Sequence, residues 1–364
     1  MLIRDLTNCL ENFAPLSLQE DYDNAGLITG DANFECTGAL TTLDVTEAVI
    51  DEAIESGCNL IVAHHPVIFR GIKKFSSNGH VERTIIHAIK NDMAIYAIHT
   101  NLDNVIKGVN KKIADKLGLE NLTILSSKEG SLKKLVTFCP ESHIDEVRNA
   151  LFLKGGKLGN YKECSFNVSG TGTFKPEEGA DPFVGKPGTR HYEKEIRIEV
   201  IFPSALQHDI ISDLRNAHPY EEVAYDIYSL DNKSPETGSG LTGTLPELLN
   251  EEELLNLLKT SFNLKVIKHT TLLKKNISKV ALCGGAGSFL LKPAIQSGAD
   301  AFITGDVKYH EFFEADSRIL LLDIGHFESE QLTIGLLADI LKQNFPNFAV
   351  LKTRVNTNPV NYFS

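Results

Sequence analysis

The stretch Ala53-Ile54-Glu55-Ser56-Gly57-Cys58-Asn59-Leu60-Ile61-Val62-Ala63-His64-His65-Pro66 decides the fold class. A helical period runs to Ser56, Gly57 stops it, and an apolar run from Leu60 to Ala63 follows before two histidines and a proline. A strand that is apolar on both faces belongs in a sheet covered on both sides, as in α/β folds. Pro66 closes the stretch because proline cannot continue a ladder. Loops at strand carboxyl ends are where α/β folds place their sites, which makes His64 and His65 candidates. Taken alone, the pair reads equally well as one imidazole on a buried carbonyl and one in solvent.

Outward from this stretch the same rhythm continues. Ala39–Val45, a helix through Val49 and Ile54, Leu60–Ala63, a helix around Ile85–Ile89 and Ile95–Ile98 make one α/β block. A second block repeats it: Lys279–Cys283, a Gly-rich turn, a helix through Leu290 and Ile295, Ala301–Thr304, a short helix at His310–Ala315, then Ile319–Leu322. Ala294-Ile295-Gln296-Ser297-Gly298-Ala299-Asp300-Ala301-Phe302-Ile303 aligns with Ala53–Val62, so the blocks read as copies, although a helix–Gly–strand junction also recurs by chemistry alone. Residues 1–20 read as a helix with Leu2, Ile3, Leu6, Leu10 and Phe13 on its apolar face, closed by Pro15.

Between the blocks the grammar changes. Lys134–Cys139, a helix over Ile144–Leu153, Cys164–Phe174, Glu195–Phe202, a helix over Ala205–Asn216 and Val223–Leu230 read as β-α-β twice. The expected architecture is a two-lobed α/β core, residues 1–129 and 238–364, with an inserted ferredoxin-like α+β module over 130–237. Lys175–Arg190, rich in Gly, Pro and charge, is expected to be a mobile loop, and Ser234–Gly243 a return linker.

Composition narrows the function classes. The 364 residues are 42% apolar and 23% charged, and no apolar run approaches the roughly 20 residues that span a bilayer. A net charge of −12 repels polyanions and disfavours general nucleic-acid binding. The six cysteines are scattered, with no two-residue spacing of the kind a zinc ribbon needs; they read as buried thiols of a reducing compartment. With no leader-like start, a cytoplasmic location is expected.

Three strand ends carry chemistry. Besides His64-His65, the next strand runs into His99-Thr100-Asn101-Leu102-Asp103, and Ile319–Leu322 runs into Asp323-Ile324-Gly325-His326-Phe327-Glu328-Ser329-Glu330. A helix starting near Phe327 would put His326 and Glu330 one turn apart on one face. Singly, Asp103 also reads as a helix cap and Glu330 as a solvated charge. Together His64, His65, Asp103, His326 and Glu330 exceed one tetrahedral zinc and suit two divalent transition-metal ions, zinc, iron, manganese or cobalt rather than calcium. Gly284-Gly285-Ala286-Gly287-Ser288 reads either as a phosphate-holding turn or as a tight turn packed under the sheet.

These motifs, with Gly305-Asp306 and His310, Asp23-Asn24-Ala25-Gly26-Leu27 and Cys283–Gly287, resemble the Ngg-interacting-factor-three-like dinuclear-metal-centre family, whose bacterial members are labelled GTP cyclohydrolase type 2 homologues. The insertion is similar to the nitrogen-regulator-like module of its longer members, and His218-Pro219-Tyr220-Glu221-Glu222 resembles another family stretch. The resemblance implies metal ligands at His64, His65, Asp103, His326 and Glu330, and a toroidal homohexamer whose metal sites face an internal cavity. The expected function is a dinuclear-metal-dependent hydrolase with a metal-bridging hydroxide as nucleophile. A nucleotide or other small molecule is its substrate, GTP first, and His99 or His310 supplies acid–base catalysis. The alternative is a non-catalytic metal-binding regulatory or scaffold hexamer with a ligand-sensing module.

Overall fold

The computed structural model describes residues 1–363, which divide into two compact units: 1–127 with 236–363, and 128–235. The first is α/β and contains two sheets. In one, Ala39–Thr42, Leu60–Ala63 and Ala94–Ala97 lie side by side in parallel, flanked by parallel Val350–Lys352 and antiparallel Gly26–Thr29. In the other, Asn276–Ala286, Ala301–Gly305 and Leu320–Asp323 are parallel, with Gly238–Asn250, Glu120–Ser127 and Lys268–His269 added antiparallel.

Period-two alternation sorts the strand residues into separate cores. Leu60, Val62, Ala94 and Tyr96 of the first sheet join Val280, Leu282, Ala301, Ile303, Leu320 and Leu322 of the second in one shared core. That core also takes the apolar faces of helices Ile3–Phe13, Val109–Lys116, Glu251–Phe262 and Thr333–Asn344. The opposite faces pack outward: Leu40, Ile61 and Ile95 under helices Glu47–Glu55 and His80–Lys90, and Ala281, Phe302 and Leu321 under Leu291–Gln296. Burial on both faces is why these strands read as unbroken apolar runs.

The two parallel triplets share their junction geometry. Gly57 and Gly298 stand at φ +70° and +75°, each with its N–H on the isoleucine three residues back. The next residues, Cys58 and Ala299, donate to Ala53 and Ala294 at 2.9 and 3.3 Å. Both are Schellman-type helix ends, and glycine fills the left-handed position in each.

Lys128–Pro235 is a four-stranded antiparallel sheet ordered Phe166–Phe174, His191–Pro203, Leu132–Pro140, Tyr225–Ser229, with helices Ile144–Phe152 and Gln207–Ala217. In chain order this is 2-3-1-4, the ferredoxin-like arrangement. Leu135, Ile198, Val200, Val147, Leu151, Ile210 and Leu214 make its core. His218 holds the turn before the last strand: Nε2–H donates to the Phe138 carbonyl at 2.9 Å while Nδ1 accepts the Tyr220 N–H at 3.1 Å. Tyr220 donates to Glu195 at 2.8 Å and Glu221 accepts the Asp181 N–H at 3.1 Å, so the 218–222 stretch anchors the expected mobile loop at 175–190.

Three expectations are corrected. The return linker is short, since Gly238 already begins a long strand, and the first helix ends at Phe13, followed by a 3-10 turn at Leu16–Leu18. Glu120–Ser127 and Val350–Lys352 are strands that the sequence pattern did not reveal. No helix of the described residues is long and apolar enough to cross a membrane.

Candidate metal centre

Parallel strands deliver their carboxyl-terminal loops to one rim, and here they come from both sheets. Ala39–Thr42 leads to Asp44, Leu60–Ala63 to His64 and His65, Ala94–Ala97 to His99 and Asp103, Ala301–Gly305 to Asp306, and Leu320–Asp323 to His326 and Glu330. The short helix His326–Glu330 begins at His326 itself, so His326 and Glu330 are one turn apart on one face. Except for the fully buried His64, these side chains border a chamber of about 1870 Å³.

Glu330 sits at the centre and is buried. Its Oε2 lies 3.0 Å from the Nε2 atoms of both His65 and His326, which are 3.3 Å from each other. Its Oε1 faces the other way, 3.8 Å from His64 Nε2, which is 3.6 Å from Asp103 Oδ1. Each carboxylate oxygen therefore belongs to its own triad, His65/His326/Glu330 and His64/Asp103/Glu330. Donors bound to one transition ion at about 2.0–2.2 Å lie roughly 3.3 Å apart, so both triads have coordination spacing. His64 Nε2 is fully buried and has no hydrogen-bond partner. An orphaned buried nitrogen between two carboxylates is costly unless a cation takes its lone pair. The residues fit a metal.

A second ring of groups orients the first. His64 Nδ1–H donates to the Ile98 carbonyl at 2.9 Å, His65 to Asp44 at 2.7 Å, His326 to Asp306 at 2.8 Å and His99 to Asp23 at 2.8 Å. Each contact fixes a tautomer with the proton on Nδ1, leaving Nε2 as the donor toward an ion. Asp44 is itself held by Thr357 at 2.7 Å, and Asp23 accepts from the Thr100 hydroxyl and backbone N–H. Asp323 accepts the N–H groups of Val307 and Gly325, fixing the loops that carry Asp306 and His326.

Without a cation, protons must balance the charge. Burial opposes charging His65, yet Asp44 and Glu330 push it up to about 10; His326, against the same burial, is raised to about 9 by Glu330 and Asp306. Burial drives His64 down to about 4. Burial and then the Glu330 charge raise Asp103 well above the usual carboxylate range, while Glu330, despite its burial, is held low by His326, His64 and His65.

The Gly-rich turn is settled by its amides. Gly284 N–H goes to Asn110, Gly285 N–H to Ser329 Oγ and Gly287 N–H to Thr304 Oγ1, all at 2.9 Å. None of these three is left for a phosphate. The turn instead backs the centre: a Cβ on Gly285, at φ +62°, would stand 2.2 Å from Glu330 Oε1.

Of the expected site residues, His64, His65, Asp103, His326, Glu330 and His99 converge here. His310 does not; it is exposed on the 3-10 segment Tyr309–Ala315, its ring against Tyr309, and it is a member of neither triad. The roles of Asp44 and Asp23 were not foreseen; Asp44 had one signal, its place two residues beyond a buried strand, and Asp23 had its place in the family-like stretch Asp23–Leu27.

The Duf34/NIF3 (NGG1p interacting factor 3) family model matches residues 1–359. The chain belongs to this family. Among relatives of the Duf34/NIF3 chain, a Halalkalibacterium halodurans protein named "GTP cyclohydrolase 1 type 2 homolog" is 40% identical, covering 97% of this chain and 96% of its own length. A Bacillus subtilis protein of the same name is 35% identical over 99% of this chain and 98% of its own. A crystal structure of a Bacillus cereus protein related to NIF3 superposes with a TM-score of 0.87 at 36% identity, covering 100% of this chain and 99% of that one.

Proposed function

We propose that this Duf34/NIF3 protein is a dinuclear-metal-dependent hydrolase acting on a nucleotide or similar small anionic substrate. The observation that supports it best is Glu330, whose two oxygens serve separate donor triads, the arrangement of a carboxylate bridging two ions. Two divalent transition ions, zinc, iron or manganese, would supply Lewis acidity and activate water near neutral pH when bound. His65, His326 and Glu330 would hold one, His64, Asp103 and Glu330 the other.

The protein's own residues do the rest. Asp44, Asp306 and the Ile98 carbonyl keep the imidazole Nε2 atoms aimed inward, so no reorganisation is needed when substrate arrives. Arg70, Lys73 and Lys74 border the chamber and offer positive charge to an anionic substrate, and Phe69 and Phe289 give it an exposed aromatic wall. GTP is the first compound to assay because the named relatives carry that label. The reading extends to a homohexamer with the chambers facing an internal cavity, which light scattering on the purified protein measures.

The test is steady-state turnover of GTP and other nucleotides with added manganese, zinc or iron, in the native protein and in Asp103→Ala. Metal-dependent turnover abolished by Asp103→Ala supports the proposal. Turnover undiminished by that substitution contradicts it, and a protein that loads two ions yet turns over nothing is a metal-binding assembly instead.

A further inference from the structure

His99 is not needed by either triad around Glu330, yet it is wired as their imidazoles are. Its Nδ1–H is given to Asp23 at 2.8 Å, as His326 gives its own to Asp306 at 2.8 Å. The Asp23 carboxylate is fully enclosed and fixed by Thr100, so the ring is held from behind and Nε2 is left as its free donor. One ring nitrogen of His99 lies within 4.8 Å of a ring nitrogen of both His64 and His65, and the three rings are 4.9–5.3 Å apart between centroids.

The repeated blocks place it likewise. Ala94–Ala97 and Leu320–Asp323 are the third parallel strands of their triplets, and each runs into a histidine followed four residues later by a carboxylate: His99 with Asp103, His326 with Glu330. The His326 member of this pair stands in a donor triad with its own carboxylate, whereas His99 stands with two imidazoles.

From this geometry we infer that His64, His65 and His99 form a third, all-imidazole position for a single divalent transition ion, overlapping the two-ion site. The inference rests on the metal reading above but assigns a donor and an ion position that reading does not contain. Because His64 and His65 serve both arrangements, the two are exclusive. Three neutral imidazoles suit zinc, cobalt or copper, so one ion at low supply occupies the nitrogen site, and a second ion draws His64 and His65 over to the carboxylates. Proton transfer by His99 and ligation by His99 are competing assignments for the same lone pair.

The test is a Co²⁺ titration of the full-length, chelator-stripped protein, read by visible absorption for affinity and by X-ray absorption for the number of imidazoles, in the native protein, His99→Ala and His99→Gln. Far-UV circular dichroism and the metal-free melting temperature check that the variants fold. The expected result is three imidazoles on the first equivalent in the native protein. In both variants first-equivalent affinity falls about tenfold or more, while two equivalents still load at saturation. Unchanged first-equivalent affinity and spectrum in both variants overturn the inference while the two-ion reading stands, and lost turnover in those same variants would assign His99 to proton transfer. A native protein that loads no cobalt overturns both.

Discussion

Gly285→Ala changes no ligand, yet it should cripple the metal centre. The added Cβ would sit 2.2 Å from Glu330 Oε1 and 3.4 Å from His326 Cε1. Glu330 must then retreat by roughly 1 Å to reach van der Waals separation, several times the ~0.2 Å tolerance of a metal–ligand bond. Displacing a ligand in this way should weaken metal affinity by about 10- to 100-fold. The substitution also forces alanine to φ +62°, which costs about 1–2 kcal/mol of fold stability. Gly298→Ala controls for that cost: its φ is +75° and nothing lies within 4 Å of the added carbon. The assay is urea unfolding of both variants and the native protein, metal-free and at a metal concentration about 100 times the native Kd. Binding should then add about 2.7 kcal/mol to the native protein and to Gly298→Ala, but about 1.4 kcal/mol or less to Gly285→Ala. Equal metal-induced stabilisation in the two variants would refute the claim that the Gly-rich turn exists to seat Glu330.

Other outcomes follow from the same geometry. With His65 raised to about 10 and His326 to about 9, both carry protons at pH 7 in the metal-free protein, so metal binding should release protons and its affinity should climb with pH up to about 10; titration calorimetry in buffers of different ionisation enthalpy measures this. A raised histidine stabilises the fold below its unfolded pKa of about 6.5, and that contribution is lost as pH rises through its folded value. The chelated protein should therefore lose melting temperature between pH 7 and 10, and the metal-loaded protein, whose imidazoles are already deprotonated, should lose less. Asp44→Ala and Asp306→Ala remove the acceptors behind His65 and His326, and each should weaken metal binding about 10- to 100-fold with little change in far-UV circular dichroism. His310→Ala, on an exposed segment, should bind metal as the native protein does.

The parallel strands were legible because burial on both faces leaves a continuous apolar run, and His64, His65, Asp103 and Glu330 could be found by asking what stands at the ends of such runs. Glu120–Ser127 was not legible because its residues are half-exposed and polar between apolar ones, and its partner Gly238–Asn250 carries glycines, Pro246 and a register shift between Thr244 and Leu249. Val350–Lys352 is too short to show a period; it is a strand because Ala39–Thr42 offers it an edge. At the centre, ligand-type residues announce themselves by clustering in sequence, whereas Asp23 and Asp44 meet their histidines only through tertiary contact, 76 and 21 residues away. The Gly-rich turn misled because a turn whose amides face outward and one whose amides are taken by Asn110, Ser329 and Thr304 share the same spelling.

The most direct measurement is anomalous diffraction from crystals of the metal-loaded protein, collected on both sides of the metal's absorption edge. Two peaks about 3.5–4 Å apart, one within bonding distance of His65, His326 and Glu330 and the other of His64, Asp103 and Glu330, are the predicted result. Saturated crystals with a single peak, or with peaks away from Glu330, would contradict it.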